Sequence, residues 1–304
     1  MQLSDAAGVV EALGSGVTRF AMGDWVVNNF VPGLPCGAVA RIRADGRRTA
    51  GWMAEYRAVD QNELVCLRDS SSFIDAATPP CAAVTRWNAV DGVGPQHHVL
   101  TQGTGGVSLF ALQFKARGAA VIAMTSSAEK AERLRALGAD HVINYVENPN
   151  WGEQARALTG GRGVDRVVEV DGPRHLLAVT ESDRAERSGI DGGRAVGRRD
   201  AQLLRHVPHF CRFQTIPTGN RQDLEDVITA VACSRIRPVI ESGFAFDEGK
   251  AAFEHFGKRN VRQGRHHRRG LRNRRSRDGL GPLSTNNTAL VRRAGSHLLN
   301  PRSI

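Results

Sequence analysis

"HHVLTQGTGGVSLFALQFKARGAAVIAMTSSAEKAERLRALGADHVINY", residues 97–145, decides how this chain folds. Residues 98–102 read as a short buried strand, and Gly103-Thr104-Gly105-Gly106-Val107-Ser108 follows at once. Val107, Phe110 and Phe114, with Leu109 and Leu112, then give an apolar helical face, and residues 119–124 form a second strand. Strand, glycine-rich turn, helix, strand is the setting in which a chain holds a pyrophosphate. Gly103 allows the tight turn, and Gly105 lacks the Cβ that would keep an anion off the backbone. The helix start adds free N–H groups and a positive dipole end. Ser108 fills the third glycine position of the fingerprint, small but not glycine.

These observations predict a dinucleotide site on Gly103, Gly105, Gly106 and Val107. The end of the second strand then selects the nucleotide. An NAD site carries an acid there for the ribose hydroxyls, but this chain reads Met124-Thr125-Ser126-Ser127, with Lys130 and Arg133 on the next helix. Hydroxyls and cations suit a 2′-phosphate, so the reading favours NADP, with NAD as the alternative. The same residues also read as local structure, with Ser126 and Glu129 as a capping box and Lys130 and Arg133 on a solvated face.

Outward from this unit the alternation continues. Gly138 closes the second helix as a C′ glycine, a third strand starts after it, and residues 151–170 give another helix, a glycine turn and a fourth strand over 164–170. Four strands alternating with helices predict an α/β fold with a doubly wound parallel Rossmann sheet.

A chain of 304 residues, 41% hydrophobic and 24% charged, is globular in composition. No run approaches the length of a membrane span, and no secretory leader is visible at the start, so a cytoplasmic protein without membrane contact is expected. Five widely spaced cysteines without a C-x-x-C argue for a reducing compartment and against structural zinc. His206, His209 and Cys211 lack the further ligands a metal site needs. The net charge of +10 is uneven. Residues 258–304 hold thirteen Lys and Arg against one acid, Asp278, or +12, which leaves 10 − 12 = −2 for residues 1–257. A basic tail can bind phosphates. This one has no interleaved aromatics for stacking and almost no lysine, so nucleic acid is not the expected partner.

With these residues in view, the chain resembles the medium-chain dehydrogenase/reductase superfamily, in its zinc-independent, quinone-reductase-like alcohol dehydrogenase branch. "LSDAAGVVEALGSGVTRFAMGDWVV", "GWMAEYRAV", "DAATPPCAAVTRWNAV", "HVLTQGTGGVSLFALQ", "TGNRQDLEDVITA" and "RPVIESGFAFDEGKAAFEHF" resemble successive family segments. The resemblance implies a GroES-like β-barrel catalytic domain around the Rossmann domain. It also implies hydride transfer between NAD(P)H and a small-molecule carbonyl, alcohol, enone or quinone, and a homodimer. Zinc members carry Gly-His-Glu where this chain reads Leu3-Ser4-Asp5, so no zinc is expected. By resemblance Thr85 sits near the nicotinamide, and Ser126, Lys130 and Tyr145 contact the adenosine 2′-phosphate. No catalytic residue is assigned.

Four departures qualify the resemblance. Met1 falls inside the family's barrel segment, so an incomplete barrel is expected. "LFALQFKARGA" is one residue short of the family pattern, which turns the helix face by about 100° after the gap. Asp171 stands in place of a glycine near the phosphates, and beyond "LLAV" residues 171–216 offer no apolar run for the strand expected there. The family ends in a strand close to "GKVVIT". One permitted codon set for residues 261–267 is GTC CGG CAA GGT CGT CAT CAC, and removing one C after GTC from that set gives V-G-K-V-V-I. The arginine-rich end therefore reads as a shifted frame, with 171–216 as a second such segment. The domain expectation is 1–90 partial barrel, 91–216 Rossmann domain, 217–261 return to the barrel, and 262–304 a disordered basic tail.

Overall fold

The computed structural model describes residues 3–33, 36, 51–67, 72–169, 189–192, 212–216, 218–261, 287–293 and 297–299. The predicted nucleotide unit is present. Strands β5 (His98–Thr101), β6 (Ala120–Thr125), β7 (His141–Asn144) and β8 (Arg166–Glu169) alternate with helices α3 (Gly106–Gln113), α4 (Ala128–Ala136) and α5 (Trp151–Leu158). With β9 (Gly189–Gly192) and β10 (Arg212–Thr215) they form one parallel sheet in the order β10-β9-β8-β5-β6-β7. Strand order therefore reverses at β5, between β6 on one side and β8 on the other.

The side-chain alternation of the strands fills both faces of this sheet. Val99, Val121 and Val168 pack with Leu109, Leu112 and Leu134 on one face. Leu100, Ile122, Met124 and Val167 pack with Trp151 and Ala155 of α5 on the other. Short apolar runs buried on both faces are what a parallel sheet demands. Gly138, at φ 99°, ends α4 as expected, with the Ala139 N–H donating to the Leu134 carbonyl at 3.1 Å.

The second sheet is antiparallel. Strands β1 (Ala7–Leu13), β2 (Trp25–Asn28), β3 (Tyr56–Asp60), β4 (Leu64–Cys66) and β12 (Thr288–Arg293) pair in the order β3-β12-β1-β2-β4. Its core gathers Val10, Phe20, Val26, Trp52, Val59, Leu64, Ala289 and Val291. Gln61 pins the loop after β1: its Oε1 accepts from the N–H groups of Thr18 (2.9 Å) and Arg19 (3.1 Å), and its Nε2 donates to the Gly16 carbonyl (3.1 Å). A short helix α1 (Phe73–Ala76) leads into α2 (Pro79–Ala89), where prolines at the first turn preset the backbone. Helices α2, α3 and α6 (Arg221–Cys233) join the two sheets, with Ala83, Val84, Phe110, Leu224 and Val227 packing on Ala7, Val27 and Val65. Helix α7 (Gly249–Val261) follows β11 (Gly243–Ala245), which pairs with β13 (His297–Leu299).

Three expectations need correction. The segment 262–304 is not disordered throughout, because Thr288–Arg293 lies between β1 and β3 as a paired strand. Its alternating Ala289 and Val291 give it one apolar side, which a reading of net charge alone passes over. The segment 171–216 does supply strands, since β9 and β10 extend the parallel sheet from runs as short as "GIDG", where backbone pairing does not need an apolar run. The cap of α4 is Ser127, whose side chain accepts from the Lys130 N–H, and not Ser126 paired with Glu129. Within "LFALQFKARGA" the helix ends early. Phe114 caps α3, Lys115 takes φ 42°, and a 3-10 turn covers Lys115–Gly118. Asp171, His206, His209, Cys211 and all of 262–286 lie outside the described residues.

Candidate functional site

The turn after β5 has the geometry an anion needs. Gly103 takes φ 69°, a left-handed value that favours glycine. Gly105 is the N-cap of α3 and lends it no side-chain cap. The first bond of the helix runs from the Leu109 N–H to the Gly105 carbonyl at 2.9 Å, so the N–H groups of Gly106, Val107 and Ser108 precede it. A Cβ placed on Gly105 would meet no atom of the described residues within 4 Å beyond its chain neighbours, so among them the space above the turn is open. Ser108 explains why the fingerprint tolerates a non-glycine here: its hydroxyl donates to the Gln102 carbonyl at 2.6 Å and ties the helix back to the strand. Gln102 itself is 2% exposed, and neither its Oε1 nor its Nε2 has a hydrogen-bond partner among the described residues. An open cradle, an uncapped helix start and an orphaned amide beside them fit a bound pyrophosphate dinucleotide.

The residues expected at the 2′-phosphate gather at one edge of this site. Ser126 is exposed directly after β6, Lys130 is half-buried in the first turn of α4, and Tyr145 follows β7 with its N–H donating to the Thr125 carbonyl at 3.0 Å. Arg133 pairs with Glu129 at 3.7 Å on the solvated face, and Lys130 is the less exposed of the two cations. Thr85 stands apart from these three. It is half-buried on α2, and its hydroxyl donates to the Cys81 carbonyl one turn back at 2.7 Å.

Asp5 lies against that same turn of α2. Its carboxylate accepts from the Ser4 hydroxyl and from the Cys81 N–H, while Oδ1 is buried without a partner. Burial pushes the carboxyl up from 3.8 to about 6, against the lowering effect of those two hydrogen bonds. The folded chain therefore holds a proton that the unfolded chain has released between pH about 4 and about 6. In that window stability falls as pH rises, and above it the deficit persists. Asp5→Asn is expected to flatten this dependence and to raise stability at neutral pH by on the order of 2 kcal/mol, read from urea melts across pH. A stability difference between Asp5→Asn and wild type that does not grow as pH rises through the window would contradict the assignment.

Two surface clefts lie elsewhere. One is lined by Glu153, Arg156, Ala157 and Gly161, the other by residues of α4, β7 and α5, and neither includes the turn. Among the described residues no group of three His, Cys, Asp or Glu is placed to hold a metal ion, and no helix is long and apolar enough to cross a membrane. Gln102 and Asp5 are the polar residues that the sequence reading passed over as site groups. The signal for Gln102 was a lone amide closing an apolar strand; Asp5 had none beyond its position.

Comparison with known proteins agrees with this geometry. A family model described as the alcohol dehydrogenase GroES-like domain matches residues 2–69, and one described as zinc-binding dehydrogenase matches 106–182. A zinc-type alcohol dehydrogenase-like protein of Schizosaccharomyces pombe is 34% identical over 267 residues, covering 83% of this chain and 77% of its own. An NADPH-dependent alkenal/one oxidoreductase, chloroplastic, of Arabidopsis thaliana is 32% identical over 256 residues, which is 82% of this chain but 58% of that protein. The crystal structure of a putative alcohol dehydrogenase from Sinorhizobium meliloti superposes with a TM-score of 0.73 at 36% identity, covering 85% of this chain and 79% of the other. With a Rossmann sheet, a GroES-like sheet and these relatives in agreement, the chain belongs to the medium-chain dehydrogenase/reductase family of oxidoreductases.

Proposed function

We propose that this chain binds NADPH, with NADH as the alternative, and exchanges a hydride with a small carbonyl, enone or quinone substrate without zinc. The observation that carries the proposal is the open, uncapped helix start at Gly105, at the C-terminal end of β5 where the strand order reverses. In this reading Gly103, Gly105, Gly106 and Val107 receive the pyrophosphate, and Ser126, Lys130 and Tyr145 receive the adenosine phosphate. Thr85 lies toward the nicotinamide. The bound nicotinamide supplies the hydride, and the protein supplies position and electrostatics. The NADP preference is supported by the missing acid at 124–127 and by the half-buried Lys130. The Arabidopsis relative, named for NADPH and for alkenal/one substrates, favours an activated double bond or carbonyl.

A zinc-free site is supported by Leu3-Ser4-Asp5. A serine hydroxyl is a poor zinc ligand, and the Asp5 carboxyl is engaged with Ser4 and the Cys81 N–H. Dialysis against a strong chelator is accordingly expected to leave turnover within about twofold of the untreated value; loss restored by added zinc would contradict it. The function is tested by following oxidation of NADPH and NADH with a panel of enones, quinones and aldehydes. Turnover with at least one member supports the proposal. Cofactor binding without any turnover would instead support a nucleotide-binding remnant of such an enzyme.

A further inference from the structure

The Gln102 side chain sits where the strand order reverses. Leu100 pairs with Ile122 and Val167, and Thr101 with Ala123 and Val168, so the next step of both ladders sets Gln102 between Met124 and Glu169. Met124 is 2% and Glu169 5% exposed, so the amide lies in a dry environment at the head of the sheet. A buried amide with both polar atoms unpaired is destabilising. Methionine fills the same volume at no polar penalty. Among the described residues no hydrogen bond holds the carboxamide in its covered position, so rotation toward the adjacent turn at Gly103 gives up no bond to them.

We propose that Gln102 is a cofactor-positioning residue whose carboxamide hydrogen-bonds the hydroxyls of the nicotinamide-side ribose. This inference rests on the nucleotide reading above. If Ser126, Lys130 and Tyr145 hold the adenosine end at β6 and β7, the rest of the dinucleotide crosses β5 toward β8, the side on which Glu169 flanks Gln102. A carboxamide presents one acceptor and one donor arm, which matches two adjacent hydroxyls that each donate and accept.

The test compares the wild-type full-length chain with Gln102→Met for two ligands, NADPH and 2′,5′-ADP, which lacks the nicotinamide half. If the wild type prefers NADH, the pair becomes NADH and ADP. The variant is expected to bind the dinucleotide about tenfold more weakly, the loss of one good hydrogen bond in a dry site. Its affinity for the adenosine fragment is expected to change less than about twofold, and its ligand-free melting midpoint to rise by a few degrees. Gln102→Asn, which draws the amide back by one methylene, is expected to show the same half-selective loss even if Met packs poorly. Unchanged dinucleotide affinity in both variants would overturn the proposal, as would equal losses for both ligands. A lower midpoint with unchanged binding would also overturn it and make Gln102 a structural group. Failure of the wild type to bind either dinucleotide is a different result, which removes the proposed function itself.

Discussion

Gly8→Val is expected to expel β12 from the barrel sheet and to lower the melting midpoint by about 10 °C. A Cβ on Gly8 would lie 2.4 Å from the Arg292 carbonyl oxygen and 2.8 Å from Val291 Cγ1. The first of these is backbone and cannot swing aside, so the strand must move as a whole. Overpacking of this kind costs about 1–3 kcal/mol for a minor shift and more when a paired strand is lost. Moving β12 withdraws Ala289 and Val291, 0% and 3% exposed, from the core they share with Val10 and Val59. It also makes β1 a new sheet edge and takes from β3 the strand it pairs with. Hydrogen exchange should show Thr288–Arg293 and Tyr56–Asp60 losing protection together. Retained protection in both strands, with an unchanged midpoint, would mean that β12 does not depend on the close approach at Gly8.

Gly105→Val is expected to do the reverse, sparing the fold and removing the nucleotide. Because an added Cβ at Gly105 meets no atom of the described residues within 4 Å beyond its chain neighbours, the apoprotein should melt within about 2 °C of wild type. The branched side chain would stand where the pyrophosphate must approach the N–H groups of Gly106 and Val107. Losing those charge-assisted bonds is expected to weaken NADPH binding by about a hundredfold or more. The two glycines separate the chain's roles. One is required because protein fills the space above it, the other because protein leaves that space empty.

The parallel sheet was legible in the sequence because its signals are local. Each strand is a short apolar run, each helix has a start or stop residue, and the glycine spacing lies within one turn. The places of Ser126, Lys130 and Tyr145 beside the ends of β6 and β7 were legible because they sit at fixed offsets from those strands. What the sequence hid depends on partners distant along the chain. β12 pairs with strands more than two hundred residues earlier, and its alternation is only six residues long inside an arginine-rich run. β9 is held by backbone pairing that leaves little trace in "GIDG". The raised carboxyl of Asp5 comes from burial beside α2, and the orphaned amide of Gln102 from the register of three strands. Neither can be counted from residue spacing. The shift from Ser126 to Ser127 as the α4 cap is smaller in origin, since two adjacent serines offer the same chemistry and the strand end decides between them.

The central claim is that the glycine turn after β5 holds a nicotinamide dinucleotide. It is tested most directly by titrating the purified full-length chain with NADPH and NADH, following cofactor fluorescence, beside Gly105→Val. The account predicts saturable binding with NADPH the tighter ligand, and its loss in the variant at an unchanged melting midpoint. Absence of saturable binding for both cofactors in a folded wild-type chain, or equal binding by Gly105→Val, would contradict it.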